Sequence, residues 1–422
     1  MVDCGLFQCP RFCDLRSQEP FPFNPAEIAA LFVTHSHIDH TGRIPKLVRD
    51  GFRGKIYSTP PTKDLSALML EDSLGVLEKE ARRHKENIFY SKSDINRSLE
   101  LWEGINYHQS VKVGAFEAKL RDSGHILGSA MVELEVGGKK IVVSGDLGNP
   151  PTPLLKDPEE IRDADILFIE STYGSRAHEA REERKLNLER VIENTLKAGG
   201  VLMIPAFSLE RTQELLFEIN DLVEAGRIPK VPIFLDSPLA IKATSIYRKY
   251  ENYFNKEAHI RIKSGDDLFK FPGLEFTLTT EESKGINDVP APKVVIAGSG
   301  MSNGGRIIHH ERRYLPDAKS TLLLVGYQAA GSMGRMLQDG AKEVTILGEK
   351  VPVRARVETL QGYSAHPDRD ALLRFVEKGK DRLQRVFAIQ GEPASCLFLV
   401  QRVRDYLGIE ASAPRYGESS EL

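Results

Sequence analysis

The chain has 422 residues, of which 41 % are hydrophobic and 28 % are charged, and its formal net charge is −3. This length exceeds one ordinary hydrophobic core and predicts two or three domains. The near-neutral balance excludes a general attraction for nucleic acid, so a polyanion site has to be a local patch. No apolar run is long enough to span a bilayer and no signal-peptide pattern opens the chain, so we expect a cytoplasmic protein without a membrane partner.

The most informative stretch is THSHIDH at residues 34–40, which follows the apolar run 29–33. That run predicts a buried strand, whose end would hold the polar segment in one place. The metal-competent side chains of the segment are His35, His37, Asp39 and His40. Zinc prefers imidazole and carboxylate ligands, and four donors in the loop, with more at nearby strand ends, exceed the needs of one tetrahedral ion. The sequence therefore predicts a site for two divalent metal ions.

Strand ends further along the chain supply more donors. The patterning predicts helices over residues 42–51, 60–84 and 94–102, and strands over 55–58, 116–120, 130–136, 139–143 and 166–169. His125 and Asp146 each follow a strand beside glycines, and Glu170 ends the last strand. Glycine permits close backbone approach, and His125 and Asp146 supply the ligand types that complete two metal sites.

From residue 181 onward strands and helices alternate, which predicts a second domain with a mostly parallel sheet covered by helices. Predicted strands cover 201–206, 231–235, 294–297, 321–325 and 385–389, and predicted helices cover 181–197, 208–225, 304–314 and 393–407, with another opened by 361–367. The predicted organisation is a first domain at residues 1–180, an inserted domain at 181–350, and a return to the first domain at 351–422.

A glycine-rich stretch, GSGMSNGGR at residues 298–306, lies between a predicted strand and helix. Glycines expose backbone N–H groups at a helix start, so the stretch suits a phosphate, with Arg306 as a charged clamp. A tight turn without any ligand is the alternative interpretation. Residues 293–356 hold ten Lys or Arg against five Asp or Glu, a local charge of +5, which favours an anionic substrate.

This ordered set of motifs resembles the β-CASP branch of the metallo-β-lactamase superfamily, specifically RNA-processing members such as ribonuclease J and the nuclease subunit of the cleavage and polyadenylation factor. The resemblance covers essentially the whole chain and implies an αββα sandwich with an inserted α/β domain. It implies roles for Asp3, which would orient the metal ligands, for His35, His37, His125 and Asp146 at one ion, for Asp39, His40 and the shared Asp146 at the other, and for the pair Glu170 and His366. It also implies contacts to the RNA backbone from Ser299, Ser302, Gly304, Gly305, Arg306, Ser332, Arg335 and Ser364.

Two departures from the family pattern limit what the resemblance implies. RNA-acting members carry a metal-ligating histidine in a strand-ending Val-His-Gly-Glu, whereas residues 388–392 read AIQGE and place Gln390 there. An amide oxygen is a poorer zinc ligand than imidazole, so we expect a second metal position that is weak, accepts manganese or is empty. The family's strands ahead of Asp3 are also missing from this chain.

Residues and resemblance together predict a metal-dependent ribonuclease that hydrolyses phosphodiester bonds of single-stranded RNA, as an endonuclease, a 5′ exonuclease or both. Two divalent ions, zinc by ligand type with manganese as the alternative, would activate a bridging hydroxide. Asp39 and Asp146 would hold these ions, and His366, supported by Glu170, would be the general acid.

Two other functions fit parts of the same pattern. A small-molecule metallo-hydrolase of the lactonase or glyoxalase kind would share the histidine motif but would not need a basic inserted domain. An RNA-binding scaffold weakened in catalysis would explain Gln390. Action as a homodimer or within a processing complex is a further expectation about partners.

Overall fold

The computed structural model describes residues 1–7, 15–85, 87–177 and 183–421. Two compact units make up the chain: unit 1 contains Met1–Ala177 and Ala365–Leu422, and unit 2 contains His178–Ser364. Among the described residues, no helix has both the length and the apolar character needed to cross a membrane.

The first part of unit 1 is rich in strands. Its strands are β1 (Ala30–Phe32), β2 (Lys55–Ser58), β3 (Trp102–Gly104), β4 (Val111–Val113), β5 (Phe116–Asp122), β6 (Ala130–Val136), β7 (Lys139–Val143) and β8 (Ile166–Glu170). Its helices are α1 (Ile38–Thr41), α2 (Ile44–Arg49), α3 (Pro60–His84) and α4 (Lys92–Leu101). Local chemistry fixes several of these limits: Thr59 caps α3 ahead of two prolines, and Ser91 with Asp94 forms a capping box on α4.

Unit 2 alternates helices and strands as the sequence predicts. Its elements are α5 (Arg184–Lys197), β9 (Val201–Pro205), α6 (Arg211–Glu224), β10 (Ile233–Leu235), α7 (Pro238–Lys249), α8 (Lys256–Lys263), β11 (Leu274–Phe276), α9 (Thr280–Gly285), β12 (Lys293–Ala297), α10 (Ile307–Tyr314), β13 (Thr321–Leu324), α11 (Met333–Gln338), β14 (Glu343–Ile346), β15 (Glu349–Pro352) and β16 (Arg356–Thr359). Six strands form a parallel sheet in the order β11-β10-β12-β9-β13-β16. Its central strands are buried along their whole length, as expected for a sheet covered on both faces.

The chain then returns to unit 1 through α12 (Arg369–Glu377), β17 (Arg385–Ile389), α13 (Pro393–Arg402) and β18 (Glu410–Ser412). The main sheet of unit 1 has the order β18-β17-β8-β7-β6-β5-β4. Strands β7, β8, β17 and β18 run parallel, and β4 to β7 pair antiparallel. Apolar side chains of β8 and β17 pack with α12 and α13 in one core, which anchors the edge where the candidate site lies.

A smaller parallel sheet, β1-β2-β3, carries the histidine-rich segment at the end of β1. Ahead of β1, the described residues form one isolated parallel bridge, between Val2 and Phe32. Met1 contributes its amino group to the Ala30 carbonyl and its own carbonyl to the Phe32 N–H, so this short segment covers the edge of β1.

The structural units divide the chain near, but not at, the predicted domain limits of 180/181 and 350/351. Residues 351–364 lie in unit 2 because β16 adds a parallel strand beside β13, whereas the prediction assigns them to the return. The sequence does not say which sheet this segment joins, and only the hydrogen-bond pairing of β16 with β13 decides this.

Candidate metal centre

Three polar residues follow neighbouring parallel strands of unit 1 at the same edge of the sheet. Asp146 comes shortly after β7, Glu170 ends β8, and Gln390 directly follows β17. The register pairs Ile389 with Glu170, so the carboxyl ends of β8 and β17 are level. Crevices outside these strand ends are where ligands bind in sheets of this kind.

The histidine-rich segment reaches this edge from the smaller sheet. The N–H of Ala130 donates to the Thr34 carbonyl at 2.7 Å, which joins the end of β1 to the start of β6. Gly145 has φ = +54°, and a Cβ there would lie 2.6 Å from the Thr34 Cβ. Only glycine permits this approach, which brings Asp146 beside the segment.

Four predicted ligands lie together in the first metal position. The ligand atoms of His35, His37, His125 and Asp146 all lie within 4.8 Å of one another. Oδ2 of Asp146 is 3.4 Å from Nε2 of His35 and 3.6 Å from Nε2 of His125. Nε2 of His35 is 3.0 Å from Nδ1 of His37. Three imidazoles and one carboxylate make up a tetrahedral zinc-type donor set.

Burial and protonation in this position suit a cation. Both ring nitrogens of His125 and Oδ1 of Asp146 are buried and have no hydrogen-bond partner among the described residues. Burial lowers the pKa of His35, His37 and His125, so their lone pairs are available. Unpartnered buried polar atoms are unfavourable, and a divalent ion coordinated by them would remove that penalty. The residues therefore fit the metal that the sequence predicts.

The other predicted ligands are His40, which lies near the other oxygen of the Asp146 carboxylate, and Asp39, which lies near His40. Nε2 of His40 is 3.4 Å from Oδ1 of Asp146 and 3.8 Å from Oδ2 of Asp39. Burial alone would lower the pKa of His40, but the negative charges of Asp146, Asp3 and Asp39 raise it well above its usual range. The strong negative potential at this second position favours a bound cation.

Asp3 and Thr34 contact the Nδ1 atoms of His35 and His40 and so orient these two rings. One Asp3 oxygen, Oδ1, accepts from the Thr34 N–H at 2.8 Å, and Oδ2 accepts from the Thr34 hydroxyl at 2.8 Å and lies 2.7 Å from Nδ1 of His40. The Thr34 hydroxyl also lies 3.1 Å from Nδ1 of His35. The motifs of the sequence indicate no role for Thr34, and its position directly before His35 is the only signal of one.

Glu170 and His366 lie at the edge of the first position. Both oxygens of the Glu170 carboxylate are 3.1 Å from Nδ1 of His366, and Oε1 also accepts from the Leu147 N–H at 2.7 Å. Burial would lower the pKa of His366, but the charge of Glu170 and the hydrogen bond to it raise the pKa to about 9. The His366 ring centroid is 4.7 Å from that of His125. A protonated imidazole therefore lies beside the first metal position.

In unit 2, Arg306, one of the two arginines predicted to contact RNA, forms hydrogen bonds within the protein. Nη1 of Arg306 donates to Oδ1 of Asp236 at 2.7 Å and to the Thr277 carbonyl at 2.9 Å, and Nη2 donates to the Leu278 carbonyl at 2.9 Å. Asp236 is fully buried and also lies 2.7 Å from Nε2 of His310. These contacts differ from a solvent-facing phosphate clamp. Sequence reasoning missed Asp236, which is separated from Arg306 by 69 residues.

The other predicted RNA contacts are distributed over the same loops. Ser302 is fully buried and its hydroxyl donates to Oε1 of Glu311 at 2.5 Å, so this side chain faces the protein interior. Ser332 caps α11, and Nε of Arg335 donates to Asp339 at 2.9 Å. The remaining predicted positions are Ser299 and Gly304, which are half-buried, Gly305, which is exposed, and Ser364, which is buried. Contact with RNA at these residues stays a prediction.

Family models match along the chain in the order that the fold suggests. A Beta-lactamase superfamily domain matches residues 2–206, a Beta-Casp domain matches 212–337, and a Zn-dependent metallo-hydrolase RNA specificity domain matches 350–414. The fold and the donor set define a metallo-hydrolase with a divalent-metal centre. The chain belongs to the β-CASP family of the metallo-β-lactamase superfamily. The family and the fold class predicted from the sequence are confirmed.

Relatives and one solved structure extend this result. The chain is 38 % identical to "Ribonuclease TTHA0252" of Thermus thermophilus over 99 % of this chain and 93 % of that protein. It is 33 % identical to an "RNase J-like protein" of Methanocaldococcus jannaschii, over 92 % of this chain and 88 % of that protein. It is also 33 % identical to "Transcription termination factor FttA" of Pyrococcus horikoshii, of which it spans 60 %. A crystal structure of a protein of unknown function from Enterococcus faecalis shares the fold, with a TM-score of 0.52 at 12 % identity over 92 % of this chain and 80 % of that one.

Replacing Asp3 by asparagine tests the support behind the ligands. Asparagine tolerates the φ of +56° at this position and keeps the shape of the side chain, but it removes the charge that accepts from the Thr34 hydroxyl, which in turn lies 3.1 Å from Nδ1 of His35 at the first metal position. We expect zinc affinity to fall by about 10–100-fold, measured by competition with a chromophoric chelator. The exposed Asp381→Asn is the matched control. Unchanged zinc affinity in Asp3→Asn would contradict the orienting role.

Glu311→Gln tests the buried carboxyl behind Ser302. Burial raises the pKa of Glu311 from 4.5 to about 7, against the opposing effect of the Ser302 hydrogen bond. The stability contributed by the neutral carboxyl is therefore complete below pH 4.5 and is lost as pH rises towards 7. Glutamine stays neutral, so we expect the variant to gain stability over the native chain above pH 7, by on the order of 3 kcal/mol at most.

Urea unfolding at pH 5 and pH 8, monitored by amide hydrogen exchange in α10, measures this difference in the free energy of unfolding. The exposed Glu224→Gln, on α6 of the same unit, controls for a change of surface charge. Equal stability of Glu311→Gln and the native chain at pH 8 would show that ionisation of the Glu311 carboxyl does not destabilise the folded chain.

Proposed function

We propose that this protein hydrolyses phosphodiester bonds of single-stranded RNA with two divalent ions, zinc at the first position. By family the protein is a metal-dependent ribonuclease, as the sequence predicts. The single-stranded form of the substrate, the number and identity of the ions, and the roles of individual residues are the proposed part.

The observation that carries the proposal is the shared carboxylate of Asp146. One of its oxygens faces His35 and His125, and the other faces His40. A carboxylate whose two oxygens face different ligands suits a pair of adjacent ions, which is the arrangement used for in-line displacement at phosphorus. When bound, such ions lower the pKa of a coordinated water and offset the charge that develops on the phosphoryl oxygens.

The remaining chemistry belongs to the protein. Glu170 holds Nδ1 of His366 and is itself fixed by the Leu147 N–H, so the orientation of the imidazole is set before substrate arrives. His366 would donate its proton to the ribose oxygen that leaves, as a general acid beside the first metal position. Asp39 would bind the second ion together with His40. Asp3 keeps the His40 ring aligned for that ion.

Asp146→Asn is the decisive variant because it removes charge from both metal positions while keeping the side-chain shape. We expect cleavage of single-stranded RNA to be abolished and bound zinc to fall, while the circular dichroism spectrum of the variant stays unchanged. The control variant Asp381→Asn should keep full cleavage activity. RNA labelled at either the 5′ or the 3′ end distinguishes internal cuts from stepwise removal of 5′ nucleotides. Full cleavage by Asp146→Asn would refute the proposal.

His366→Gln separates proton donation from metal binding. We expect the rate of cleavage to fall by about 10²–10⁴-fold while zinc content stays unchanged. An RNA bearing a better leaving group at the scissile bond should recover most of the lost rate, because it needs less protonation. No recovery with such a substrate would show that His366 has a structural role instead.

The same assays discriminate between the alternatives. Turnover of lactones or thioesters without RNA cleavage would favour a small-molecule hydrolase. RNA binding without cleavage by a correctly metallated chain would favour a scaffold, the alternative that would explain Gln390.

A further inference from the structure

Gln390 has an unusual backbone conformation at the end of β17. Its φ is +58°, in the left-handed region that glutamine rarely adopts. The hydroxyl of Thr172 donates to the Gln390 carbonyl at 3.2 Å, and the terminal amide of the side chain lies 2.7 Å from Nε2 of His40. Strained backbone at the edge of a binding site is a reason to look for a function of the side chain that it aims.

The two metal positions differ in the type of donor they offer. The first has three imidazole nitrogens and one carboxylate oxygen. The second has the imidazole of His40, the carboxylates of Asp39 and Asp146, and the amide of Gln390. Imidazole suits zinc, whereas carboxylate and carbonyl oxygens suit magnesium and manganese. The second position therefore offers more oxygen donors, which favour hard cations such as magnesium and manganese.

The side-chain amide of Gln390 can form a hydrogen bond with His40 when no ion is bound, and can coordinate an ion when one is bound. Nδ1 of His40 faces Asp3, so a neutral ring carries its lone pair on Nε2, to which the amide N–H can donate. Turning the amide by half a revolution presents Oε1 to the same place. In that orientation it accepts from a protonated ring or coordinates an ion. An ion entering the second position must therefore displace a hydrogen bond.

We propose that Gln390 makes the second position a weak, exchangeable site with reduced preference for zinc, which takes Mn²⁺ through Oε1 while zinc stays at the first position. This inference rests on the proposed two-ion function. It assigns to Gln390 the choice of metal at one position, a role that a histidine there would change.

The test compares metal content among variants of the full chain. After metal removal, loading with zinc and desalting, we expect the native chain to retain one zinc and Gln390→His to retain two, by elemental analysis. Addition of Mn²⁺ to the zinc-loaded native chain should then fill the second position, seen as loss of the free Mn²⁺ signal in electron paramagnetic resonance. Gln384→His, which adds an exposed imidazole at the other end of β17, should behave as the native chain.

Gln390→Ala shows whether the amide itself is a ligand. We expect it to weaken Mn²⁺ binding by on the order of tenfold while the first zinc is retained. Gln390 is exposed, so neither substitution disturbs the core. Retention of two zinc ions by the native chain, or equal Mn²⁺ affinity in Gln390→Ala, would overturn the inference and leave the proposed function standing. Failure of the native chain to bind any zinc would overturn the proposed function as well.

Discussion

The structure of unit 1 depends on one electrostatic constraint, the concentration of buried imidazoles and carboxylates around Asp146. Burial would raise the pKa of Asp146, but the charge of His40 lowers it well below its usual range, so the carboxylate is ionised. Several polar atoms around it have no hydrogen-bond partner among the described residues. Such an arrangement is unfavourable in an apolar interior, and a cation is the species that would satisfy it.

The scaffold serves this constraint through backbone geometry. Parallel strands β7, β8 and β17 end at the same edge, so residues far apart in the chain arrive level with one another. Close approaches that require glycine then bring the smaller sheet against this edge: a Cβ on Gly145 would collide with Thr34, and one on Gly5 would lie 1.4 Å from the Asp39 carbonyl. Asp3 and Thr34 complete the arrangement by holding the two histidines in defined orientations.

Unit 2 shows a different use of buried charge. Asp236 collects Arg306, His310, Thr277 and Ser283 around one carboxylate, and these contacts lower its pKa to about 2 although burial acts in the opposite sense. The cluster ties the glycine-rich loop to the end of β10. Arg306 thus stabilises the loop.

The sequence by itself determined the elements with strong periodicity and the candidate metal donors, because hydrophobic patterning and ligand chemistry are local. Thus β2, α3, β6, β7 and β17 occur where the pattern predicts them, and His35, His37, His125 and Asp146 lie together. Tertiary structure alone decided which sheet β16 joins, that Arg306 pairs with Asp236, and that the Gln390 amide faces His40. These outcomes depend on hydrogen bonds between residues from about 35 to 350 positions apart, which no local pattern encodes.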